Sequence, residues 1–166
     1  MTNVIGLLLI MLVPAGAWAQ SGPLASTASC NPTPIGERLS VVGPMVGSRP
    51  AWMVGSDQTF GSANPVKTLW VLAQSKQRLR ITGRLLNGSA TAQFRHGSGP
   101  LTRDLVVEDL ARSSVVPGGA TPEMLREYAF IMSHVFYPVP GCWEFTVAIG
   151  DAKHTIVRTI GTSTPP

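Results

Sequence analysis

Cysteine, histidine and methionine are the side chains of this 166-residue chain best suited to hold a metal, with two, three and six copies. Cys142, His96, His134 and His154, plus a weakly bound methionine, are the donor types of a blue-copper centre on a β-sandwich. Their spacing argues against one. Such centres draw Cys, His and Met from one closing loop, whereas here His154 lies twelve positions after Cys142 and no methionine follows Cys142. Hydrolysis needs a nucleophile beside a base. Ser133 and His134 are adjacent, but neighbours in a strand point to opposite faces. No G-x-S-x-G turn occurs, and Asp104, Glu108, Asp109, Glu123, Glu127, Glu144 and Asp151 form no recognisable pair. No catalytic, metal-binding or cofactor-binding residue is therefore assigned. The expectation is a non-enzyme without a cofactor, and the alternative is a small exported metal-binding, cupredoxin-like protein or a hydrolase.

The two cysteines have a simpler use. Val4 to Val13 is an apolar run, broken by Pro14 and Gly16 and followed by Ala17-Trp18-Ala19. Small residues at the first and third places of that triplet suit signal peptidase. Residues 1–19 thus read as a signal peptide, with Gln20 the new amino terminus. The run falls short of the roughly 20 apolar residues that span a bilayer. No second apolar run follows, so no transmembrane span is expected after cleavage, and the protein is placed outside the cell, in the periplasm or at the envelope. In an exported chain an even cysteine count suggests a disulfide, here between Cys30 and Cys142. It would staple the amino-terminal segment to the last hairpin. A lipid anchor on Cys30 is disfavoured, because "TASC" lies far beyond the apolar run.

The formal charge is +4, carried by scattered Lys and Arg. The densest group, "SKQRLRITGR", lacks the interleaved aromatics of a nucleic-acid surface and reads as a solvated strand face, so no nucleic-acid partner is expected.

The rest of the chain must supply the scaffold. Residues 20–35 read as a flexible leader, 36–161 as one β-sandwich domain and 162–166 as a flexible tail. Asn87-Gly88 inside "RLRITGRLLNGSATAQFR" predicts a two-residue type I′ hairpin, pairing Leu86 with Ser89, Gly83 with Ala92 and Ile81 with Phe94. Arg80 would then lie opposite Arg95, which disfavours the far end. The turn also accounts for the "NGS" sequon. Trp143, Phe145, Val147 and Ile149 share one parity, which predicts a strand; Gly150-Asp151 turns it back through His154 to Ile160, with Arg158 inward on an edge strand. "KTLWVLAQ", apolar on both parities, reads as a central strand. "LTRDLVVED", "GERLSVVG" and "AWMVG" are further strands. Thr121-Pro122-Glu123 starts a helical turn, followed by a strand from Ala129 to Phe136. "VEDLAR" reads as a solvated surface run. Seven or eight short strands with turn signals between them predict an all-β, immunoglobulin-like antiparallel β-sandwich. "RHGSGP" (Arg95 to Pro100) and "SVVPGGATP" (Ser114 to Pro122) are its candidate binding loops.

From "KTLWVLAQSKQRLRITGRLLNG" through "FYPVPGCWEFTVAIGD" the chain resembles a group of uncharacterised secreted bacterial proteins. Their carboxy-terminal half carries a tryptophan-bearing strand, an "L-x-I-x-G-R" strand and a terminal "F-P-x-P-G-C-W-E-x-T" motif. The stretch "GSGPLTRDLVVEDLARSSVVPGG" departs from that group. The resemblance implies an immunoglobulin-like terminal hairpin, a cysteine near the start of the mature chain, and an envelope or extracellular setting; it brings no activity. The expected role is binding or support, with an envelope component or another protein as partner.

Overall fold

The structure is a computed structural model that describes residues 29–55 and 65–161. The expected signal peptide, most of the leader and the tail lie outside the described residues. Among these described residues, ten antiparallel strands form two sheets. The first strands are β1 (Ile35–Leu39), β2 (Gly43–Ser48), β3 (Ala51–Val54), β4 (Val66–Ala73), β5 (Leu79–Leu85), β6 (Gln93–Arg95) and β7 (Asp104–Val107). Helices α1 (Leu110–Ser113) and α2 (Pro122–Glu127) precede β8 (Tyr128–Phe136), β9 (Gly141–Ile149) and β10 (Ala152–Ile160). One sheet runs β1-β2-β3-β4-β8-β6 and the other β10-β9-β5-β7. This is an all-β sandwich. In space, β3-β4-β8-β6 facing β10-β9-β5-β7 matches the immunoglobulin arrangement of an A-B-E-D sheet against G-F-C-C′. The chain visits the two edge positions in the opposite order, β6 before β7.

The carboxy-terminal hairpin follows directly from its alternation. Trp143, Phe145, Val147 and Ile149 are buried, while Glu144, Thr146 and Ala148 are partly exposed. Ile149 pairs with Ala152 across the two-residue turn. Gly150 alone takes positive φ there, at 56°, the pattern of a type II′ turn. β10 is an edge strand, and its inward Arg158 donates to the Gly55 carbonyl at 2.8 Å.

The Asn87-Gly88 expectation fails beyond its first rungs. Leu85 N–H donates to Ala90 and Ala92 N–H to Gly83, as the register requires. Yet neither Asn87 nor Gly88 takes positive φ, so the turn is not type I′. The Leu86 N–H is taken by the Cys142 carbonyl at 2.8 Å, which opens the connection into a wider loop. Beyond Ala92 the chain crosses to the other sheet, where Phe94 pairs with Val135. β7 takes the vacated place beside β5, with Asp104 opposite Thr82. The crossing separates Arg80 from Arg95; Arg80 instead meets Asp104 at 2.8 Å.

Two further elements depart from expectation. Ten strands occur among the described residues where the sequence pattern predicts seven or eight, and β2 is one it does not foresee; "GPMVGS" hides a strand, because Pro44 lacks a donor and Gly43 and Gly47 take positive φ. "VEDLAR" forms α1, whose N-cap Asp109 accepts from Ala111 and Arg112 N–H. The turn at Thr121 is α2, with the Thr121 hydroxyl accepting from Met124 N–H.

The main core lies between the sheets. The Trp70 and Phe145 rings join them edge-on, with centroids 5.5 Å apart. A second cluster sits on the outer face of the six-stranded sheet: Met45, Trp52, Val71, Tyr128 and Phe130, with Leu125 of α2 packed on it. This explains why β4 is apolar on both parities: Trp70 and Leu72 face one cluster, Val71 the other.

Candidate functional site

Cys30 and Cys142 are joined, with Cα atoms 5.7 Å apart. The leader beside Cys30 lies along the β10 edge: Thr33 N–H donates to Val157 O at 2.9 Å, and Val157 N–H donates to the Thr33 hydroxyl at 2.8 Å. Both thiols are consumed, which leaves no thiolate for copper and no Cys30 sulfur for a lipid.

Ser133 is fully buried and accepts a hydrogen bond from Trp70 Nε1 at 2.9 Å. It cannot act as a nucleophile. His134, its neighbour, faces outward across β8. His96 follows β6, beside a small cavity of about 190 Å³ with Asp104 and Thr102 in its wall. His154 lies inward on β10 opposite Val147, its Nε2 buried without a partner among the described residues. Among the described residues no three His, Cys, Asp or Glu side chains come together to hold a metal.

The "FYPVPGCW" segment builds the β8–β9 connection. Trp143 Nε1 donates to the Val139 carbonyl at 3.3 Å, and the Tyr137 ring meets Trp143 edge-on at 5.3 Å. Burial pushes the Tyr137 phenol well above its ordinary value, with the Arg158 guanidinium pulling the other way. A raised pKa makes the folded state prefer the neutral phenol. Its contribution is therefore complete below about pH 10, the unfolded value, and fades as pH climbs above it. Tyr137→Phe should flatten the alkaline limb of a stability–pH curve above about pH 10 relative to wild type; parallel limbs would count against this burial.

The outer face of the six-stranded sheet has two unlike halves. Near Tyr128 it is covered by α2 and the second cluster. Near Phe136 it is open. There the β5–β6 connection and the end of β8 form a groove of about 540 Å³, lined by Ser89, Ala90, Thr91, Gln93, Phe136, Tyr137 and Pro138. That volume is within the usual range for ligand sites, roughly 300–1,000 Å³. Gln93 lies directly opposite Phe136, and the Arg95 guanidinium stands 5.5 Å from the Phe136 ring centroid. Hydroxyls and an amide thus stand beside an aromatic ring. A second hollow, of about 490 Å³ between α1 and α2, is less free: Gln74 Nε2 in its wall already donates to Leu125 O. Of the loops expected to bind, "RHGSGP" contributes only Arg95 to this region. The groove itself is invisible in sequence, since Thr91 and Phe136 meet only because β6 joins β8.

The fold and groove define a disulfide-tied β-sandwich with an open sheet end. No family model matches the chain, and no curated protein matches it. Among solved structures it is similar to a protein described as a "Putative Lipoprotein from Bacillus anthracis", at 13% identity and a TM-score of 0.52, covering 80% of this chain and 86% of the other. The likeness is one of fold. No described helix is long and apolar enough to cross a membrane.

Proposed function

We propose that the chain is an exported, non-enzymatic β-sandwich domain that binds a cell-envelope component through the open half of its six-stranded sheet. One observation carries this reading. The same sheet face is sealed by α2 at one end and left open at the other, where a groove combines an aromatic ring with hydroxyl and amide groups. The disulfide supports export, because such bonds persist in oxidising compartments. The apolar run Val4 to Val13 and the resemblance to secreted bacterial proteins support it from the sequence side. Burial of Ser133 and oxidation of Cys142 weigh against catalysis.

The test is retention of the purified protein on insoluble envelope material. Wild type is expected to be retained. Gln93→Ala with Phe136→Ala should weaken retention by about tenfold, the equivalent of about 1.4 kcal/mol. No retention of wild type, or equal retention of the double variant, would overturn the reading.

A further inference from the structure

The row of side chains next to the groove narrows what it binds. Lys67 on β4 lies directly opposite His134 on β8, and His134 lies directly opposite Arg95 on β6. All three alternate outward, onto the open half of the sheet. Directly opposed side chains on one face sit roughly 5 Å apart at Cβ, and like charges so placed destabilise a sheet. This row sets a lysine, an arginine and an imidazole side by side across three strands. Six exposed arginines elsewhere, Arg49, Arg78, Arg80, Arg84, Arg112 and Arg126, each meet a carboxylate, while Arg38 and Arg103 stand singly on the surface rather than in a row. No described carboxylate pairs with Lys67, His134 or Arg95, and the Arg95 guanidinium stands 5.5 Å from the Phe136 ring centroid.

We infer that this row is an anion subsite, and that the ligand of the groove is a phosphate-bearing polyol or sugar polymer of the envelope. The inference rests on the proposed binding role of the groove and adds its ligand class. Charge complementarity supplies the argument. Arginine offers a planar fork matched to phosphate oxygens, lysine a compact point charge, and imidazole a further donor. The adjoining groove offers Ser89 and Thr91 hydroxyls, the Gln93 amide and the Phe136 face, which suit hydroxyl-bearing carbon backbones. Arg95 stands at the junction of the two. A polymer alternating polyol and phosphate would lay its neutral part in the groove and its charge on the row. On the outer face of the other sheet, Arg80 and Arg84 are held by Asp104 and Glu144, which leaves Lys153 there without an adjoining unpaired arginine.

The probe is a glycerol phosphate oligomer, titrated into the full protein at about 0.15 M salt, beside a neutral dextran oligomer, anionic lipid vesicles and single-stranded DNA. The phosphate oligomer should bind at least about tenfold tighter than the other three. Lys67→Gln with Arg95→Gln should lose about tenfold or more, as expected when charge-assisted hydrogen bonds are removed. Lys67→Arg with Arg95→Lys should retain most of the binding, which separates lost charge from lost fold. Equal binding of dextran, equal or tighter binding of vesicles or DNA, or an unaffected Gln variant would each overturn the subsite. If envelope retention survives in the Gln variant yet falls in the Gln93/Phe136 variant, the anion inference fails and the groove reading stands. If neither variant changes envelope retention, both fail.

Discussion

Trp70→Ala is expected to lower the unfolding free energy by about 4 to 5 kcal/mol, against a total of about 5 to 15 kcal/mol for a domain of this kind. The effect has two parts. Trp70 is fully buried and its ring packs edge-on against Phe145 of the opposite sheet, so truncation opens a cavity where the two sheets meet. It also removes the indole N–H that donates to the Ser133 hydroxyl, leaving a buried polar atom that costs about 1 to 3 kcal/mol when unpaired. The parts can be separated. Trp70→Phe keeps an aromatic ring but orphans Ser133, and adding Ser133→Ala should recover stability, because removing both partners of a buried bond is nearly neutral. An unfolding free energy for Trp70→Ala, from urea denaturation, within about 1 kcal/mol of wild type would mean that the ring does not join the sheets. A double variant less stable than Trp70→Phe would mean that the hydroxyl is not orphaned.

Breaking the disulfide is the second large effect. Cys30 is the better position to change, since Cys142 is nearly buried at the start of β9 and its loss would also disturb packing. The bond closes a loop of 112 residues. Chain entropy assigns such a loop a stabilisation of about 4 to 5 kcal/mol, and removing native disulfides from small secreted domains costs about 2 to 5 kcal/mol. Cys30→Ser should lose stability in that range. The loss should also release the strap on β10: the Val157 amide, bonded to the Thr33 hydroxyl, should exchange hydrogen faster than its neighbours on the β9 side. Chemical denaturation with and without reductant gives the first quantity and amide exchange the second. An unchanged midpoint would show that the two cysteines are not joined in solution.

How much of this was legible follows from how local each signal is. The β9–β10 hairpin could be read because alternation over Trp143 to Ile149 and a glycine turn are short-range features. The α2 start could be read from Thr121 and Pro122. The central place of β4 could be read because Trp70 and Val71, of opposite parity, are both large and apolar, and only a strand covered on both faces hides both. β2 was hidden, since Gly43, Pro44 and Gly47 are poor strand residues, and pairing between β1 and β3 overrides that preference. The Asn87-Gly88 signal was correct for Leu85 and Gly83 but could not announce the crossing at Ala92. That crossing goes with contacts from far along the chain: the Cys142 carbonyl takes the Leu86 N–H, and Asp104, not Arg95, becomes the neighbour of Arg80. The candidate site inherits this difficulty. Lys67, His134 and Arg95 belong to three strands scattered over the sequence, and nothing in their local context makes them neighbours. They become a row only once β6 has joined β8.

The reading stands or falls on which face of the sandwich meets a ligand. The most direct measurement is an amide and side-chain shift map of isotopically labelled protein titrated with solubilised envelope glycan. The account predicts that the largest changes gather at Lys67, Thr91, Gln93, Arg95, His134 and Phe136, with little change on the strands β10, β9, β5 and β7. Changes centred on Arg80, Thr82, Thr146 and Lys153, which line the opposite sheet face, or a spectrum that does not move, would contradict it.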